Sequence, residues 1–431
     1  MADKTIGIGL MGLGVIGGQV ARVLTERAAM LQEHAGCPVV LRKIKVIESD
    51  LTRPQAQAME RSLFTTDEEE FFNTPGLDII VEVIGGEHPA FEYQKRALKS
   101  GKHVVTANKE VIAKYGAELL ALATQNRVSL RYEASVGGGI PLIAPFQRDL
   151  IANHINGIYA IINGTTNFIL STMAREGTEF ATALGQAQKL GYAETNPRND
   201  LEGIDAAYKI AILATLAFRS RVRPDQVFHE GISRLSRRDF QYARDLGFAI
   251  KLLAIAKQSD SEIEVRVHPV FIPADSFLAK VDGVYNAVLV DGDLTGQVTF
   301  LGKGAGALPT SSAVAADVVA AARHVASGQS GFTWQPDENK RIKPMSQIVT
   351  RYYIRMGVAD QPGVLAQIAC ALGNHQISIA SVIQKETEPD QTAEIVIMTH
   401  PAREEAIQAA FADFKKLPVV KEVHNFVRVE A

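Results

Sequence analysis

The chain has 431 residues with a net charge of −3, 46% hydrophobic and 22% charged residues, which is the make-up of a soluble globular protein. That length is too great for one ordinary core and implies two or three domains, while the absence of excess Lys and Arg excludes a general nucleic-acid binder. Cys37 and Cys370 are the only cysteines, which excludes a disulfide framework or a cysteine-rich metal site. "MADKTIGIGLMG" lacks a basic region followed by a long apolar stretch, and the apolar run Ile210–Phe218 is too short to span a bilayer. A cytoplasmic protein without membrane contact is therefore expected, and the "NGT" at Asn163 is not expected to be glycosylated.

The first third alternates strands and helices. "TIGIGLMG" reads as a strand, "VIGGQVARVLTERAAML" as a helix, "VVLRKIKVIES" and "DIIVEVIG" as strands. "PAFEYQKRALKSG" (helix), "KHVVTA" (strand) and "EVIAKYGAELLALATQN" (helix) follow, a pattern that implies a parallel sheet with helices on both faces. From about Leu130 glycine-rich turns appear, then helices, then a strand-rich stretch from "IEVRVHPVFI" to "NAVLVDGDLTGQVTF". "PTSSAVAADVVAAARHVAS" reads as a helix that Thr310 or Ser311 could cap. A polar stretch, Gly328–Lys343, suggests a linker, and a compact βαββα-like pattern closes the chain.

Gly12, Gly14 and Gly17 have the spacing G-x-G-x-x-G, preceded by a strand and opening a helix, the context that a dinucleotide-binding turn requires. Leu10, Val15 and Ile16 flank it. Gly12 permits the turn, Gly14 lets backbone approach a pyrophosphate, and Gly17 lets the helix pack on the sheet. The second strand ends near Glu48 and Asp50, carboxylates that would hydrogen-bond a ribose 2′-OH and repel a 2′-phosphate, although Arg42, Lys43 and Arg53 lie close by. The cofactor is thus NAD or NADP, with a weak lean to NAD.

Lys109 stands just past a strand end, at the carboxyl edge of the sheet where such folds bind ligands. Glu133 precedes three glycines in "YEASVGGGIPLI", a combination of carboxylate and mobile carbonyls that suits a hard cation or, equally, a plain turn. "GYAETNPRNDLEGIDAAYK" gathers Glu194, Asp200, Glu202, Asp205 and Lys209. A helix starting near Asp200 would put Asp205 and Lys209 on one face, at the mouth of a largely buried apolar stretch. A lysine held by carboxylates there is a candidate proton donor and acceptor.

"GLMGLGVIGG", "VEVIGG", "HVVTANKE", "YEASVGGGIPLI", "INGTTNFIL", "GYAETNPRNDLEGIDAAYK" and "GKGAGALPTSSAV" resemble, in order and spacing, the homoserine dehydrogenases, and "VADQPGVLAQIACALGNHQISIASVIQ" resembles an ACT domain. The resemblance covers essentially the whole chain. It implies a Rossmann-type α/β domain over 1–132 with a helix at about 305–327, an α+β catalytic and dimerisation domain over 133–304, a linker over 328–349, and a ferredoxin-like ACT domain over 350–431. It also implies NAD(P)-dependent interconversion of L-homoserine and L-aspartate 4-semialdehyde in threonine, methionine and isoleucine biosynthesis, by a homodimer or homotetramer.

Residue by residue, the resemblance makes Lys209 the proton donor and Lys109 the lysine reaching cofactor and substrate. Glu194 would hold the substrate ammonium, Asp205 orient the substrate and Lys209, and Asp200 extend the acidic strip. Glu133 with the carbonyls of Val136, Gly138 and Ile140 would form a sodium or potassium site, and Gly304 and Gly306 a second turn near the cofactor. Asp360, Gly363, Val364 and Leu365 would lie where ACT domains hold effectors, L-threonine here. Two departures stand out: Lys303 replaces the usual proline of "GPGAG", and "IESDL" places Glu48 where a basic residue is common. Alternatives are another ACT-bearing hydroxy-acid dehydrogenase, which would want basic residues where this strip is acidic, and a catalytically idle nucleotide and amino-acid sensor.

Overall fold

The computed structural model describes residues 5–328, 340–384 and 392–430. The chain divides into two compact units, one of Met1–Ile155, Tyr208–Asp225 and Asp291–Lys340, the other of Asn156–Ala207, Gln226–Val290 and Arg341–Ala431.

The first unit is built on a parallel sheet whose strands, in spatial order, are Phe64–Thr65, Val39–Lys45, Ile6–Met11, Ile79–Glu82, His103–Thr106 and Leu130–Arg131. In sequence order this is 3-2-1-4-5-6, the doubly wound arrangement, which places a ligand crevice beyond the carboxyl ends of the first and fourth strands. Every residue of Ile6–Met11 and Ile79–Glu82 is buried, as a strand covered on both faces must be. The single helix expected after the glycine turn is two, Val15–Glu26 and Ala28–Ala35, broken at Arg27 so that Leu31 and Ala35 reach the core. The helix Ala307–Ser327 returns to this core and packs Val314, Val318, Ala321 and Ala322 with Ile6, Ile8 and Leu10. It starts after Gly306, so Thr310 and Ser311 are its fourth and fifth residues and neither caps it.

The second unit is a largely antiparallel sheet. Its core is the hairpin Phe248–Gln258 with Glu262–Pro273, flanked by Ile155–Ile161 and Tyr285–Gly292. The expected C-terminal pattern is present as Val349–Ala359, helix Val364–Asn374, Ile379–Gln384, Thr392–Thr399, helix Glu404–Phe414 and Val420–Val429. Both helices bury apolar faces, Ile368 and Leu372 from one, Ile407, Phe411 and Phe414 from the other, against Ile354, Met356, Ile395 and Ile397.

This C-terminal layer is continuous with the rest of its unit: Val420–Val429 pairs in parallel with Glu262–Pro273, Val270 opposite Arg428 and Phe271 opposite Val429. Buried ion pairs fasten the seam. The Arg355 guanidinium donates to Asp239 at 2.9 Å and Glu394 at 2.7 Å. Arg428 donates to Glu404 at 2.8 and 2.7 Å and to Glu230 at 2.9 Å. Within the linker expected over 328–349, residues 329–339 lie outside the described residues; Arg341–Ile342 pairs with the Glu262–Pro273 strand.

Candidate active site

The glycine turn has the geometry its spacing implies. Gly12 has φ +96°, and a Cβ there would lie 2.9 Å from Ile84 and 3.1 Å from the Val83 carbonyl oxygen. A Cβ on Gly17 would fall 2.0 Å from the Gly12 carbonyl oxygen, whereas one on Gly14 would meet nothing within 4 Å. The open side at Gly14 adjoins the start of the helix Val15–Glu26, which has no side-chain cap, and Val15 is 73% exposed. Uncapped amides and a positive helix end suit a pyrophosphate, so these residues fit a nicotinamide dinucleotide. Leu10 is fully buried in its strand, which limits any part it plays to backbone.

The second strand stops at Lys45, short of the expected tip, and Glu48–Thr52 forms a one-turn 3-10 helix. Glu48 is exposed there; Asp50 is buried and bonded to Arg53 at 2.7 Å. Of the two carboxylates, Asp50 is thus committed to its own turn.

Lys109 is the first residue of the helix Lys109–Gln125, and Asn108 caps that helix by accepting from the Val111 N–H at 3.1 Å. The cap is tied to a buried acid that sequence reasoning passed over. Asn108 donates to the Gly86 carbonyl at 2.6 Å, its N–H donates to Thr106 Oγ1 at 2.9 Å, and Thr106 donates to Glu82 at 2.7 Å. Gln94 and the Ile84 N–H also donate to Glu82, at 2.7 and 2.8 Å. Burial raises the Glu82 carboxyl above the ordinary range against the pull of these bonds. Glu82 thereby fastens the loop after the fourth strand to the strand end that presents Lys109. The same helix lies beside the segment carrying Lys209: Lys114 sits 5.8 Å from the Tyr208 ring centre, and Ile112, Gly116, Ala211 and Thr215 line a cavity of about 30 Å³.

The glycine run after Glu133 makes a tight turn, with φ +74° at Gly137 and +57° at Gly138. A Cβ on Gly138 would lie 2.7 Å from the Gly304 carbonyl, so the "VGGG" and "GKGAG" turns abut through backbone. Glu133 anchors a helix start. Its carboxylate accepts from the N–H groups of Leu142, Ile143 and Ala144 at 2.5, 2.8 and 2.7 Å, at the start of the short helix Ile143–Gln147. Both side-chain oxygens anchor the helix start, Oε1 accepting two N–H groups and Oε2 one, which leaves Oε2 with acceptor capacity. Among the described residues no group of three or more His, Cys, Asp or Glu is placed to hold a metal ion. The Glu133 N–H donates to Asp317 at 2.8 Å, and burial, opposed by that bond and aided by the Glu133 charge, pushes the Asp317 carboxyl up to about 7.

The acidic segment is reshaped by Gly203, φ +77°, which separates a short helix Arg198–Leu201 from the apolar helix Ile204–Phe218. The apolar helix therefore starts later than expected, and Asp205 falls in its first turn, where the helix dipole favours a carboxylate. Lys209 follows one turn on. Both are nearly buried, 4% and 9% exposed. Asp200 is half-buried and Glu194 exposed, in the loop that precedes the short helix. Asn163, which the sequence marked only as part of a motif, joins two of these acids: its Nδ2 donates to Asp200 at 2.7 Å and to Asp205 at 2.9 Å.

In the C-terminal layer, Gly363 (φ +88°) precedes the helix Val364–Asn374; Asp360 and Leu365 are exposed and Val364 is buried.

Comparison with known proteins gives three family matches in register with this architecture. A homoserine dehydrogenase NAD-binding domain matches residues 12–133, homoserine dehydrogenase residues 141–319, and an ACT domain residues 352–419. The homoserine dehydrogenase of Neisseria gonorrhoeae is 42% identical over 99% of both chains. The crystal structure of a homoserine dehydrogenase from Thiobacillus denitrificans is 41% identical, with a TM-score of 0.92 over 100% of this chain and 99% of that one. A hyperthermophilic archaeal homoserine dehydrogenase in complex with NADPH is 27% identical, with a TM-score of 0.63 over 74% of this chain and 98% of that one.

Proposed function

The chain belongs to the homoserine dehydrogenase family and is an NAD(P)-dependent oxidoreductase, and from that premise we propose how its residues divide the work. When bound, the nicotinamide supplies hydride transfer to or from the carbon that carries oxygen. Lys209 gives its proton to the substrate oxygen as negative charge grows there, and takes it back in the oxidising direction. Lys109 reaches both cofactor and substrate. Glu194 holds the substrate ammonium, Asp205 orients the substrate and Lys209, and Asp200 extends the acidic strip. The backbone amides after Gly14 receive the pyrophosphate, with Gly304 and Gly306 on a second approach, and Glu48 favours a ribose 2′-OH over a 2′-phosphate.

One observation carries this reading: a carboxylate and an ammonium, 4% and 9% exposed, one turn apart on the most apolar helix of the chain. Charges withdrawn this far from water cost more than a surface pair returns, so a site that uses them explains their placement better than stability does.

A sodium or potassium ion would be held by Glu133 with the carbonyls of Val136, Gly138 and Ile140, and no step depends on it. The C-terminal layer binds L-threonine at Asp360, Gly363, Val364 and Leu365 and inhibits turnover, which suits an enzyme of threonine, methionine and isoleucine biosynthesis. The protein acts as a homodimer or homotetramer in the cytoplasm; no helix among the described residues is long and apolar enough to cross a membrane. The domain limits suggested by sequence, 1–132 with the helix near 305–327, 133–304 and 350–431, remain the proposed division of labour.

The test is direct. Protein, L-homoserine and either NAD or NADP are mixed and the reduced-nicotinamide absorbance is followed. Homoserine-dependent reduction supports the reading; intact cofactor binding without turnover would make the chain a sensor.

A further inference from the structure

Asn163 carries a larger share of the site than its place at a helix end suggests. It caps the helix Gly164–Glu176, its Oδ1 accepting from the Thr166 N–H at 2.9 Å and from Thr166 Oγ1 at 3.0 Å. Those two donors fix the amide's orientation, because only the oxygen can face a backbone N–H. The NH2 group must then face Asp200 and Asp205, and its two hydrogens are shared between them, at 2.7 and 2.9 Å. Asn163 is 6% exposed, Thr166 1% and Asp205 4%, so water does little to screen Asp205, while half-buried Asp200 keeps part of its hydration. The helix end itself is held. A Cβ on Gly164 would lie 2.9 Å from the Val284 carbonyl oxygen, and Asn167, one turn on, donates to the carbonyls of Val281 and Tyr285 at 3.0 and 3.1 Å.

Resting on the assignment of Asp205 above, we propose that Asn163 is a positioning residue whose amide clamps Asp200 and Asp205 at a fixed spacing and so sets the geometry in which L-homoserine is recognised. A cap alone needs only the oxygen; any Ser, Thr or Asp serves that purpose. The donor half of the amide is what the acidic strip uses: a Ser or Thr cap has a single O–H, and Asp has none, whereas the Asn NH2 offers a hydrogen to each carboxylate.

Asn163→Asp keeps shape and cap but turns a charged oxygen toward both carboxylates. Asn163→Ser keeps the cap and is too short to bridge them. The assay measures kcat, KM for homoserine, Kd for the nicotinamide cofactor and Tm, with Asp205→Asn in parallel. For Asn163→Asp, homoserine KM is expected to rise about tenfold or more with a lower kcat, while cofactor Kd changes less than about twofold, from the loss of a charged hydrogen bond. Asn163→Ser is expected to fall between that variant and the wild type, in homoserine KM and in Tm alike. If Asp205→Asn is impaired but both Asn163 variants keep wild-type homoserine KM, the clamp is overturned and the assignment of Asp205 stands. If Asp205→Asn is harmless, the site reading beneath it falls. Should Asn163→Asp lose stability, Asn163→Ser decides: normal stability with a normal homoserine KM makes Asn163 a cap and nothing more.

Discussion

Asp317→Asn perturbs the acid that faces the Glu133 N–H. Its carboxyl is held at about 7 against an ordinary 3.8, a difference worth about 4 kcal/mol across the full range. The sign follows from the direction of the rise. The folded chain keeps a proton that the unfolded chain releases, so stability is fully present below about pH 4 and is lost as pH climbs to the folded value near 7. Glu133, carrying like charge, adds to the cost of ionising Asp317, and Arg131 offsets part of it. Asparagine keeps an oxygen for the Glu133 N–H and has no proton to lose. The variant should therefore gain on the wild type by about 2–3 kcal/mol between pH 5 and pH 8, the part of the titration that lies in this window. Urea unfolding followed by far-UV circular dichroism, with both proteins at both pH values, measures it. Midpoints that differ by the same amount at pH 5 and pH 8 would refute the reasoning and mean that Asp317 is ionised throughout.

Gly14→Ala should fold with an unchanged Tm, because its Cβ meets nothing within 4 Å, yet raise the cofactor KM; Gly17→Ala, whose Cβ would overlap the Gly12 carbonyl, should fail in both respects. Arg355→Met leaves buried Asp239 without a guanidinium and Glu394 with that of Arg238 alone, and should destabilise the second unit by about 3 kcal/mol or more in urea unfolding. A titration of L-threonine should lower homoserine oxidation, and unchanged activity together with unchanged oligomer size would remove the regulatory role proposed for Asp360–Leu365.

What the sequence discloses here is what short-range physics determines. The strand before Gly12, the turn itself and the helix that begins at Lys109 follow from local periodicity and turn chemistry, and their order is enough to give the parallel sheet. The break at Gly203 was hidden because a glycine inside a helical pattern reads as tolerable until its φ is known. Glu133 was ambiguous because three backbone amides can use a carboxylate as fully as a cation can, and its link to Asp317 spans 184 residues. Asn163 meets Asp205 across 42 residues, so its only local signal was a capping residue ahead of Gly-Thr-Thr. The C-terminal layer looked separate because its own core is complete; the strand pairing and buried arginines that join it to the rest are long-range contacts.

The central claim is that the nearly buried Lys209 ammonium handles the substrate's proton. Lys209→Met, which removes the charge and keeps the stem, should abolish homoserine-dependent nicotinamide reduction while cofactor Kd and Tm stay close to wild type. A Lys209→Met enzyme that turns over homoserine at near-normal rate would contradict the account.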